Sequence, residues 1–112
     1  MHSKSILMFN THSLLVGGVK SLLDTIDGFV VASTPFTNDI ALVQKIKQLK
    51  PDVVIMDDET ISSIELVQFL EIFRIVPSLR LIVLDRQISR MDVYDKREFI
   101  ISHSDHFIEA LG

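Results

Sequence analysis

Cysteine is absent from this chain. That absence excludes a disulfide framework, a thiolate metal site and a thiol nucleophile. It is compatible with a reducing compartment, and a cytoplasmic location is the expectation. No apolar run approaches the roughly 20 residues that a bilayer-spanning helix needs, so no membrane association is expected. Ile6-Leu7-Met8-Phe9, the first apolar run, follows a single lysine and is too short for the core of a signal peptide. Basic residues are outnumbered, 11 Lys and Arg against 15 Asp and Glu, for a net charge of −4. A sequence-wide footprint for nucleic acid is therefore missing, and direct binding to it is not expected. There is no glycine-rich phosphate loop, Ser/His/Asp order or nucleophile elbow. His2, His12, His103 and His106 lack tight metal-ligand spacing. Neither an enzyme, nor a cofactor, nor a metal centre is expected.

What the chain has is apolar side chains. A hydrophobic share of 47% argues against disorder, and 112 residues suit one domain over 1–112 with one core. The organising stretch is Lys50-Pro51-Asp52-Val53-Val54-Ile55-Met56-Asp57-Asp58-Glu59. Its apolar run, bounded by proline and by carboxylates, reads as a strand buried on both faces. Pro51 ends the preceding helix and biases Lys50 toward extended backbone. In an open parallel sheet, chemistry collects at the carboxyl ends of strands, which is where Asp57 and Asp58 fall.

Taken in order, Ser5 to Phe9 reads as a first strand, ending at Asn10-Thr11. Leu15, Val19, Leu22 and Ile26 then recur at helical spacing, with Thr11 or Ser13 available as the cap. Phe29 to Ser33 is a second strand. Asn38 or Thr37 caps a helix whose apolar face is Leu42, Val43, Ile46 and Leu49. After the strand at Val53, Ile64 to Val76 reads as a helix with Leu66, Phe69, Leu70 and Phe73 facing inward. Leu79 to Leu84 is a fourth strand, ending at Asp85. The polar segment 86–97 has room for two weak helical turns at most. Glu98 to Ile101 follows as a fifth strand, and Ser104 can cap a last helix from Asp105 to Leu111. Alternating strands and helices with short loops imply a parallel sheet with right-handed crossovers.

KSILMFNTHSLLVGGVKSLL and KPDVVIMD resemble the receiver domains of two-component response regulators, of the kind that precede a helix-turn-helix DNA-binding domain. The resemblance covers essentially the whole chain. It implies a flavodoxin-like, doubly wound, five-stranded parallel sheet in the order 2-1-3-4-5. A shortened or irregular fourth helix is expected from the polar 86–97 segment. By the same resemblance, Asp57 matches the phospho-accepting aspartate and Phe99 the aromatic switch position. Asn10 and Thr11 stand where a receiver has its acidic pair, Asp85 where it has a serine or threonine, and Ser102 where it has a lysine. The interval from Asp85 to Ser102 is also shorter than usual. The chain resembles a degenerate receiver, or pseudo-receiver.

Each departure weakens phosphoryl chemistry. Mg²⁺ takes about six oxygen ligands and favours carboxylates, which Asn10 and Thr11 lack. Without the cation and a lysine, charge developing on the phosphoryl group is not neutralised. A carboxylate at Asp85, about 5 Å from an acyl phosphate charge at an effective dielectric of 20, would repel it by roughly 3 kcal/mol. The leading expectation is a signalling module that binds protein, as a partner or a homodimer, through a surface including Arg90, Met91, Tyr94, Phe107 and Leu111. Two other readings stay open. Asp57 could act as a residual phospho-acceptor with Asp58 as a substitute ligand, or a small ligand could occupy the vacated pocket. The bland readings are that Asp57 is a carboxylate bonded to loop amides, Asp58 and Glu59 are solvated, and Phe99 is core.

Overall fold

The structure, a computed structural model, describes residues 4–10, 14–85, 87 and 90–98. Among the described residues, five strands form one sheet: β1 (Lys4–Asn10), β2 (Phe29–Pro35), β3 (Val53–Asp57), β4 (Arg80–Asp85) and β5 (Arg90–Tyr94). Four helices connect them: α1 (Leu14–Asp24), α2 (Asp39–Leu49), α3 (Asp58–Ser62) and α4 (Leu66–Ile75). The strand order is β2-β1-β3-β4-β5, as the sequence implied.

Side chains alternate across the sheet and build two cores. Leu7, Phe9, Val54, Met56, Leu81 and Val83 face α2 and α4, which contribute Leu42, Val43, Ile46, Phe69, Ile72 and Phe73. Ile6, Met8, Val53, Ile55 and Leu84 form the second cluster on the opposite face, where Val19 and Leu23 of α1 pack. All five residues of β3 are buried, which is what a central strand covered on both faces requires. Asp52 fixes where that strand begins: its carboxylate accepts from the Ser5 amide at 2.8 Å. Its own N–H donates to Ser5 O and its carbonyl accepts from Arg80 N, tying three strands together.

Several expectations need correction. The strand expected at 98–101 is not β5: the fifth strand is Arg90–Tyr94, and it runs antiparallel to β4. The cause is length. Only 86–89 separate β4 from β5, enough for a hairpin, whereas a parallel crossover needs a dozen or more residues. A fourth-helix crossover between these two strands therefore has no room, and 99–101 lie outside the described residues. Of the side chains described in and after α1, Val19 and Leu23 pack inward, whereas Leu22 and Ile26 are exposed; the side chain of Leu15 lies outside those described. On α4, Ile72 takes the place expected for Leu70, and α3 is an extra short helix. Lys50 is not extended: it sits at φ 44°, ψ 60°, and its N–H bonds Ile46 O at the end of α2. Satisfying that carbonyl outweighs the pre-proline bias.

Candidate functional site

The carboxyl ends of β1, β3 and β4 lie side by side. Asp57 ends β3 and is wholly buried, 0% exposed. It is also the N-cap of α3: its backbone is extended, at φ −93° and ψ 173°, and its Oδ1 accepts from the Thr60 amide at 2.8 Å. An aspartate three residues before that amide is a standard way to satisfy a helix's first free donors. Asp58 opens α3 and is half-buried. Thr60 was not singled out in the sequence, although the Asp-x-x-Thr spacing carries the capping signal. Its side-chain hydroxyl is buried and has no hydrogen-bond partner among the described residues.

Asn10 is the last residue of β1. Met8 pairs with Ile55, so two residues further along each strand Asn10 and Asp57 reach the same end of the sheet. Asp85 ends β4, but it does not stand opposite Asp57, which is in register with Leu84. Strand alternation turns Asp85 to the other face of the sheet from Asp57. Its Oδ1 instead accepts from the Gln87 amide at 3.0 Å. The expectation that Asp57 and Asp85 crowd one pocket therefore loses its geometric basis. Thr11, Phe99, Ser102, Phe107 and Leu111 lie outside the described residues, as do the four histidines.

Among the described residues, the donors at this end of the sheet fall short of what Mg²⁺ needs. The ion wants hard, charged oxygens in a near-octahedral array. Here Asp57 Oδ1 is engaged with the Thr60 amide, and Asp85 turns to the other face of the sheet. Among the described residues, no group of three or more His, Asp or Glu side chains is arranged to hold a metal ion.

No family model matches the chain, and no curated protein matches it. Among solved structures, it is similar to the crystal structure of a two-component response regulator of the LuxR family from Aurantimonas sp. SI85-9A1. The TM-score is 0.58 at 16% identity, over 74% of this chain and 59% of that one. The fold is receiver-like. At that identity the likeness speaks to the fold alone, and the chain spans less than two thirds of its neighbour's length. No described helix of the receiver-like sheet is long and apolar enough to cross a membrane.

Of the residues expected at an interaction surface, Arg90, Met91 and Tyr94 fall on β5. Arg90, Asp92 and Tyr94 share the face of Leu81 and Val83, while Met91 and Val93 share that of Leu84 and Ile82. Arg90 Nε and Nη2 donate to Asp92 Oδ2 at 3.2 and 3.0 Å. That hydrogen bond, then the Asp92 charge, raises the Arg90 pKa above its ordinary value.

Proposed function

We propose that this receiver-like chain is a regulatory module that acts by binding protein and carries no phosphoryl chemistry at Asp57. One observation carries the reading: the carboxylate at the phospho-acceptor position is fully buried and caps α3 through Thr60 N. A phosphoryl acceptor must present its oxygen to a donor and a cation, and this one is committed to the fold. The carboxamide of Asn10, in place of a cation-recruiting acid, supports the same reading. In this role the module is cytoplasmic, needs no cofactor, and passes its signal through contacts with a protein partner or a second copy.

The test is to incubate the chain with acetyl phosphate and Mg²⁺ and weigh it intact. Unchanged mass is the expected result. A gain of one phosphoryl group that vanishes in Asp57→Asn would overturn the proposal in favour of a residual acceptor, with Asp58 as the substitute ligand.

A further inference from the structure

The antiparallel β5 ends the sheet among the described residues, and its outer side carries no strand there. Edge strands are commonly guarded against pairing with another chain by short length, by proline, by charged side chains, lysine above all, or by a bulge. Arg90-Met91-Asp92-Val93-Tyr94 contains neither proline nor lysine and pairs with β4 without a break in register, and its two charges, Arg90 and Asp92, are of opposite sign, so they can complement those of a second copy. Met91 and Val93 are 57% and 43% exposed on one face, and the Arg90–Asp92 ion pair lies on the other.

We propose that β5 pairs antiparallel with β5 of a second copy, across a two-fold axis through Met91, to give one continuous ten-stranded sheet. The inference rests on the reading of the module as one that binds protein, and it names the partner. A two-fold axis normal to the sheet brings residues of the same face opposite one another. Centred on Met91, it sets Arg90 of each copy opposite Asp92 of the other and Met91 opposite Met91. Two ion pairs join into a four-membered network on one face, and the exposed apolar strip continues across the join on the other. Neighbouring registers do worse. Centring on Asp92 places two carboxylates opposite one another, and centring on Val93 sets Arg90 against Lys96. Like charges directly opposite are destabilising, so charge selects the register. The other edge, β2, holds Pro35 and no charged side chain to specify one.

The absence of cysteine makes the decisive experiment clean. Residues directly opposite on antiparallel strands have Cα atoms about 4.5–5.5 Å apart, within disulfide reach. Met91→Cys should oxidise to a covalent dimer, whereas Val30→Cys on β2 should stay monomeric on a denaturing gel. In sedimentation equilibrium, Arg90→Asp and Asp92→Arg should each weaken the wild-type dimer by roughly tenfold or more. Mixing the two variants should restore it, because their charges then complement one another in the Met91-centred register. Restoration also shows that both variants fold. A wild-type chain that remains monomeric, a dimer indifferent to both charge changes, or cross-linking at Val30→Cys alone would overturn the pairing. None of those results touches the phosphorylation assay, so the two proposals fail separately.

Discussion

At Asp57 one side chain is asked to serve two ends, and burial decides between them. Capping Thr60 N holds Oδ1 at 2.8 Å, and the residue exposes none of its surface. The cap predicts a graded response. Asp57→Asn keeps an acceptor oxygen and should change stability by about 0.5 kcal/mol or less, whereas Asp57→Ala strands the amide and should cost about 1–2 kcal/mol. Urea titrations of the two variants give the comparison. Equal losses would mean that the carboxylate is not held by its cap. The carboxylate-at-loop-amide reading was legible in the sequence, because an aspartate at a strand end followed by a polar turn is a capping pattern. The orientation of Asp85 was not. Whether two strand-end carboxylates meet depends on register, and a shift of one residue turns a side chain to the other face. Lys50 was misread for a related reason. The pre-proline rule weighs local sterics, while the αL cap is set by the need of Ile46 O for a donor.

Among the elements, helices α2 and α4 were recoverable from periodicity, and the burial of Leu42, Val43, Ile46, Phe69 and Phe73 follows the expected faces, whereas Leu49, at the end of α2, is exposed. The edges of those faces were less well marked. A helical stripe is wide enough that Leu70 and Ile72 are both plausible inward positions until the neighbour's crossing angle is known. The structure leaves Leu70 38% exposed and buries Phe73 to 1%. Phe73→Ala should therefore cost about 3–5 kcal/mol and Leu70→Ala only about 1 kcal/mol or less. Denaturant midpoints of the two variants test this, and comparable losses would restore the face expected from spacing alone. The fifth strand was misplaced because the βα rhythm of the first four took precedence over local pattern. Arg90, Met91, Asp92 and Val93 alternate polar and apolar, the signature of a half-buried strand, within a segment set aside for a weak helix.

Across the described residues as a whole, the sheet has a sealed middle and two edges that differ. β3 is buried along its length between β1 and β4, and opening it exposes both cores. β2 has most of its residues exposed, with Val31 half-buried against the second cluster. Local opening is easiest where few apolar contacts are lost, so amide protection should fall from β3, through β1 and β4, to the two edges. In dilute solution β2 and β5 should exchange at similar, fast rates. Raising the protein concentration separates them. If β5 of one copy pairs with β5 of another, its outward amides gain partners and its protection should climb with concentration, while β2 is unchanged. Mass action sets the form of the climb: once the dimer dominates, the free energy protecting β5 grows with the logarithm of its ratio to the dissociation constant. Hydrogen exchange read by mass spectrometry on peptides covering 29–35 and 90–94, across a hundredfold range of concentration, makes the measurement. A rise confined to β2 would move the interface to the opposite edge. Equal rises at both edges would indicate filaments of stacked sheets, because pairing through β5 alone closes at two copies and leaves both β2 edges open.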